Sequence, residues 1–199
     1  MCGIYYVEPS IEEEIERFII KYDAGKRPGV TPVSFTERDI RPTDLAPVIG
    51  SFHGNLIIRD IKWGLSGYQK GQVVFNARSE TALDKSFFRG GIEHGRIVIP
   101  ASKFYEWNKR KEKSTFGRMD GAILFMAGFS VGAGAEERFA ILTTAANASM
   151  MPVHDRMPLI LEEKEVLPWL FDRSRTEELL GKIPCQLERK TDYEQMSMF

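Results

Sequence analysis

The chain alternates short apolar runs with polar turns, and the period of the apolar positions changes along it. Residues 2–7, "CGIYYV", read as a short strand. Ser10 and Glu13 then have the spacing of a helix-initiating capping box. Behind them Ile11, Ile15, Phe18, Ile19 and Tyr22 repeat every three to four residues, which predicts a helix with one buried face. "DAGKRPGV" closes that helix as a loop, and "ERDIRPTDLAPVIG" predicts an extended segment with a turn at Pro42-Thr43.

From there the period drops to two. "NLIIRDIKWGL", "QVVFNA", "RIVIPASKFYEW", "AILFMAGFS" and "RFAILTTAA" are rich in β-branched and aromatic residues and are separated by turn residues, so each predicts a strand. "DKSFFRGGIEHG" reads as a short helix or loop closed by glycines. A further apolar strand, "LIL", follows residues 152–158. "LEEKEVLPWLF", interrupted at Pro168, and "SRTEELLGKI" predict two short helices near the C-terminus; beyond Cys185 the pattern is uninformative. Strands with helices at their periphery predict an α+β fold, its mixed or antiparallel sheet curled into a barrel-like form.

Length and composition narrow the function classes. The 199 residues fit a single domain with a substantial core. Two cysteines, Cys2 and Cys185, make no disulfide framework and no cysteine-rich zinc site, which fits a reducing cytoplasm. The first apolar stretch is short and runs into "EPSIEEE", so no secretory leader is expected, and no apolar run is long enough to span a membrane. The formal net charge of −1 means that nucleic-acid binding would need a local basic patch.

Four islands carry candidate chemistry. Removal of Met1 would leave Cys2 with a free α-amine beside its thiol. An α-amine has a reference pKa of about 7.7–8.0, so a useful fraction of it is neutral and nucleophilic near neutrality. An amine next to a thiol traps an aldehyde in two steps, imine formation and then ring closure; a buried small side chain is the plainer role for such a cysteine. Asn76 ends an apolar strand and offers a donor and an acceptor, with Arg78 two residues on as a phosphate-gripping fork. Glu106 lies between Tyr105 and Trp107; strand alternation would put it on one face with Phe104, in surroundings suited to a general acid. His154, Asp155 and Arg156 sit between two prolines, where an imidazole oriented by Asp155 could move protons and Arg156 could hold a phosphate. His53 and His94 stand beside glycines as turn residues, and no histidine pair has metal-ligand spacing.

In order, "MCG", "RPT" (41–43), "WGL" (63–65), "NARSET" (76–81), "IPA" with "YEW" (99–107), "AGF" (127–129) and "HDRMPLIL" (154–161) resemble the SOS-response-associated peptidase (SRAP) family. The likeness runs from residue 2 to about 161, leaving helices and a tail over 162–199. It implies one α+β domain, expected as a monomer, whose groove binds single-stranded DNA and captures abasic sites as a thiazolidine on the N-terminal cysteine. Cys2 would be the nucleophile. Asn76 would hold the amine or adduct, Glu106 would move protons, and His154 would assist sugar-ring opening. Arg78 and Arg156 would hold phosphates. Pro42, Thr43, Trp63 and Tyr68 would line the DNA path, Tyr68 as a base-stacking ring. No metal or organic cofactor is implied, no membrane partner is expected, and in a bacterium the site of action would be the cytoplasm and nucleoid. Some members also remove their own first methionine, hence the peptidase name.

Three departures bear on DNA binding. Ile4 stands where many members have arginine, "SGYQKGQ" after "WGL" is short and lacks a tryptophan, and Arg96-Ile97 replaces a basic-cysteine pair. These losses predict weaker or more salt-sensitive DNA retention. Two rival readings share the opening residues. "MCGI" also begins class II glutamine amidotransferases, whose thiol attacks an amide and which need an oxyanion hole and a glutamine-binding arginine; "RGG" at 89–91 is the one element in favour. The other is a non-catalytic single-strand-binding module.

Overall fold

The structure, a computed structural model, describes residues 3–22 and 35–191. Cys2 and the predicted loop over 23–30 lie outside the described residues. In chain order the strands are β1 (Ile4–Val7), β2 (Arg38–Ile40), β3 (Leu45–Phe52), β4 (Asn55–Trp63), β5 (Leu65–Ser66), β6 (Val73–Val74), β7 (Asn76–Arg78), β8 (Arg96–Ala101), β9 (Lys103–Trp107), β10 (Lys113–Arg118), β11 (Leu124–Val131), β12 (Arg138–Ala145), β13 (Arg156–Pro158), β14 (Ile160–Leu161) and β15 (Leu187–Thr191). The helices are α1 (Ser10–Tyr22), α2 (Ser86–His94), α3 (Glu163–Phe171) and α4 (Thr176–Leu180).

The larger sheet curls until it meets itself. Its order runs β12-β4-β3-β8-β11, and β11 pairs back onto β12, so five strands close a ring. Every pairing in the ring is antiparallel except β12 with β4, where Arg138 lies opposite Lys62. Closure removes the free edges that would otherwise template aggregation. It also explains the long apolar runs of β8 and β11, which are buried along nearly their whole length. Gly128 permits the close approach of β11 and β12: a Cβ there would lie 2.7 Å from the Ala140 carbonyl oxygen. The predicted α+β, barrel-like architecture is therefore the observed one.

A second sheet, β15-β10-β9-β1-β2, packs beside the ring. One buried cluster joins the two, with Tyr5, Phe104 and Phe116 from the smaller sheet and Trp63, Phe129 and Phe139 from the ring all fully buried. Helix α1 buries Ile11, Ile15, Phe18 and Ile19, as its period predicts. Its first turn opens before Ser10: the Ile11 and Glu12 amides donate to the Glu8 and Pro9 carbonyls.

Two predictions need correction. The helix "LEEKEVLPWLF" is not interrupted; α3 continues through Pro168. Its anchors outweigh the lost amide: Val166, Trp169 and Leu170 are buried, and the Trp169 indole donates to the Ile97 carbonyl at 2.9 Å. The residues past Cys185 are not featureless, because β15 pairs with β10 from Ser114↔Thr191 to Arg118↔Leu187.

Candidate functional site

Strand β1 runs beside the strand that bears a buried carboxylate. It runs antiparallel to β9 with Ile4 opposite Tyr105 and Tyr5 opposite Phe104. Continued by one residue, that register sets Gly3 opposite Glu106. Strand β9 alternates as predicted. Phe104 and Glu106 face the protein interior, whereas Trp107 faces outward at 37% exposure. Tyr105, on the outward side, is covered by the Lys113 ammonium 3.8 Å from its ring centre. Burial, with the nearby Asp39 charge, pushes the Tyr105 phenol above its ordinary range. Glu106 is only 5% exposed, and its Oε1 accepts the Trp107 amide at 3.2 Å.

Asn76 follows a residue of an aromatic cluster that extends to β1. Strand β7 runs parallel to β12, with Asn76 opposite Ile141 and Arg78 opposite Thr143. The preceding residue, Phe75, packs edge-on against Trp63 at 5.8 Å, and Trp63 in turn contacts Tyr5 of β1 at 5.2 Å. The Trp63 indole donates to the Phe75 carbonyl at 2.8 Å. This corrects the expectation that Trp63 lines the DNA path. It is fully buried and has no face to offer a base; it fixes the strand that leads to Asn76.

His154 closes a tight loop after β12. Its Nδ1 accepts the Arg156 amide at 2.9 Å and also lies 2.9 Å from Asp155 Oδ1. These two contacts suit different protonation states. A neutral ring accepting at Nδ1 keeps its proton on Nε2, and a charged ring donates from Nδ1 to Asp155. Asp155 Oδ1 is thus within hydrogen-bond reach of the ring.

Arg156 is occupied. Its guanidinium makes two parallel bonds to Glu80, at 2.5 and 2.8 Å, and a third to the Thr143 carbonyl at 2.6 Å. Only 12% of its side chain is exposed. In this arrangement the group ties β13 to the turn after β7. The Arg156 guanidinium holds the Glu80 carboxyl below its ordinary range. Strand β7 ends at Arg78, and Glu80 lies in a 3-10 turn over Ser79–Thr81. Arg78 itself is exposed beside this pair.

Pro42 and Thr43 form the predicted turn, and Thr43 adopts φ of +84°, a conformation that costs a β-branched residue. Its amide donates to the Trp63 carbonyl at 2.8 Å, which holds it there. Thr43, Lys62 and Arg138 are shared by two adjoining concavities of about 690 and 460 Å³. Tyr68, on the rim of the second, is 83% exposed and touches Phe87 at 5.1 Å, so one face of its ring is open to a partner. "RGG" at 89–91 belongs to helix packing. Arg89 donates to the Leu83 carbonyl, and a Cβ on Gly91 would lie 2.5 Å from the Phe129 ring. Arg96, at the departure noted before "IPA", is buried with its guanidinium on the Trp169 and Ile92 carbonyls. Among the described residues, no group of three or more His, Cys, Asp or Glu side chains could hold a metal ion. No helix among them is long and apolar enough to cross a membrane.

This arrangement has counterparts. The Escherichia coli (strain K12) "Abasic site processing protein YedK" is 29% identical over 187 residues, covering 85% of this chain and 79% of its own. The Bacillus subtilis (strain 168) "Abasic site processing protein YoaM" is also 29% identical, over 199 residues, 92% of this chain and 85% of its own. Among solved structures, a phage-related protein from Bordetella bronchiseptica superposes with a TM-score of 0.77 at 22% identity, covering 96% of this chain and 93% of that one. A protein from Bacteroides thetaiotaomicron superposes with a TM-score of 0.75 at 20% identity, over 96% and 91%. The family description "SOS response associated peptidase (SRAP)" matches residues 1–197, and the chain belongs to that family.

Proposed function

We propose that this protein recognises abasic sites in single-stranded DNA and captures them covalently through Cys2 after loss of Met1. The names of its curated relatives support abasic-site processing as the broad role. The observation that carries the finer reading is the β1–β9 register, which sets Gly3, the neighbour of Cys2 in sequence, opposite the buried carboxylate of Glu106.

The chemistry balances without a cofactor. The ring-opened sugar exposes an aldehyde at C1′. The Cys2 α-amine adds to that carbon, and the carbinolamine loses water to give an imine. The Cys2 thiol gives up its proton to the imine nitrogen as sulfur bonds to the same carbon. The product is a thiazolidine, with one water released overall. Glu106 donates the proton that lets water leave, and His154, backed by Asp155, assists opening of the sugar ring. Asn76 holds the amine or the adduct with its amide. Arg78 takes a phosphate, Pro42 and Thr43 shape the nucleotide pocket, and Tyr68 stacks on a base. Autoproteolytic removal of Met1 would belong to the same centre.

Incubation of mature protein with an oligonucleotide carrying one abasic site, followed by a denaturing gel, tests the reading. A shifted band that disappears in Cys2→Ala is expected. Retention only under native conditions would favour a non-covalent single-strand binder, and ammonia release from glutamine an amidotransferase.

A further inference from the structure

The hairpin between β9 and β10 concentrates positive charge that the proposed chemistry does not use. Lys109, Arg110, Lys111 and Lys113 fall within five residues, in a chain whose net charge is −1. The one acid among them, Glu112, accepts the Asn108 side-chain amide at 2.6 Å. Lys109, Arg110 and Lys111 are exposed, and none of their side chains has a carboxylate partner among the described residues. The tip is not loose. Asn108 Oδ1 accepts the Arg110 and Glu112 amides at 2.9 and 3.1 Å, and the Lys111 amide returns to the Asn108 carbonyl. Lys111 sits at φ +64°, where glycine or asparagine would be the ordinary choice. The braced turn fixes the backbone from which the three cationic side chains project.

The outward face below the tip continues the pattern. Lys113 lies directly opposite Trp107, whose ring is partly exposed, and Lys113 also covers Tyr105. Two residues further along, Lys103 lies over Tyr6, 4.1 Å from its ring centre. The acids nearby have partners: Asp39 faces Arg41 and lies near Tyr105, Glu37 accepts the Tyr6 hydroxyl, and on β15 Glu188 pairs with Lys190. Cations interleaved with an open aromatic face suit a single nucleic-acid strand, with phosphates on the ammonium groups and a base against the ring.

We infer that Lys109, Arg110 and Lys111, with Lys113 and Trp107, form a phosphate-binding arm for the single-stranded DNA that flanks the lesion. The inference rests on the proposed single-strand binding and names residues that supply the local basic patch a near-neutral chain requires. The arm adjoins Glu106, so it bears on retention of the strand and not on bond formation.

The test measures retention of an oligothymidine of about 20 nucleotides, longer than the ~4–16 an OB fold covers, without any abasic site and over a range of salt. The protein is Cys2→Ala, compared with the same chain also carrying Lys109→Gln, Arg110→Gln and Lys111→Gln. Each lost phosphate contact lowers the log–log salt slope by about 0.7, so the triple variant is expected to lose about 2 units, and each single variant about 0.7. Removing the same number of charges elsewhere, at Arg17, Lys21 and Lys164, should leave the slope in place. Equal slopes with and without the triple substitution would overturn the arm while leaving the single-strand reading intact. An equal drop from the remote substitutions would also overturn it, as would competition by polyglutamate as effective as that by oligothymidine. Failure of Cys2→Ala to retain the oligonucleotide at any salt would overturn the arm together with the reading beneath it.

Discussion

Arg156→Ala removes the group that joins the His154 loop to the Asn76 strand, and its cost follows from the contacts. The lost bonds are a bidentate pair to Glu80 and one to the Thr143 carbonyl. Hydrogen bonds to charged groups are worth about 1.5–3 kcal/mol each when buried. Arg156 is nearly buried, but Glu80 is 44% exposed, so solvent screening reduces the pair's share to about 1 kcal/mol. With the orphaned Thr143 carbonyl, the total is about 2 kcal/mol. For a chain of this size that corresponds to a fall of about 4–8 °C in Tm.

The pH dependence separates the ion pair from simple loss of packing. Arg156 depresses the folded pKa of Glu80, so the pair's stabilisation is fully present above the unfolded carboxyl value of about 4.3. It is lost as pH falls through the lower folded value. Thermal denaturation of wild type and Glu80→Gln should therefore differ at neutral pH and converge in strong acid. Arg156→Ala combined with Glu80→Gln should show coupling of about 1 kcal/mol at neutral pH. A gap between wild type and Glu80→Gln that stays constant down to strongly acidic pH would refute the reasoning, as would additive effects in the double variant.

Two further outcomes concern the chemistry and the strand. Glu106→Gln and His154→Ala should each slow adduct formation by at least about tenfold at saturating DNA, since positioned acids and bases contribute ~10²–10⁴. Native retention of the oligonucleotide should be preserved; wild-type single-turnover rates in both would remove the two groups from their catalytic roles. Arg78→Ala should lower the salt slope of DNA retention by about 0.7 if its exposed fork holds one phosphate, and an unchanged slope would exclude that contact.

Periodicity made most of this fold legible. The face of α1 and the alternation of β9 needed only the spacing of apolar residues, because their burial is set within the element. Strands β10 and β15 escaped because "KSTFGR" and "LERKT" are mostly polar; their strand character comes from pairing with β9 and with each other. Pro168 misled for the converse reason, since local propensity lost to the anchoring of Trp169. In the candidate site, the motifs single out Asn76, Glu106 and His154 as candidates but do not say which way neighbouring groups point. Trp63 looks like a stacking surface until its five-strand ring is closed around it. Arg156 reads from its motif as a phosphate ligand, and spacing gives no sign of Glu80, brought from the other side of β12 to pair with its fork. Partnerships of that kind depend on long-range register, which spacing along one chain does not carry.

The central claim is tested most directly by the intact mass of the product of mature protein and an oligonucleotide carrying a single abasic site, with the linked peptide mapped by proteolysis. Capture through the terminal aminothiol predicts a species equal to the sum of the two partners less one water, with the DNA on a peptide that begins at Cys2. An unmodified Cys2 peptide, or the same adduct formed by protein that still carries Met1, would contradict it.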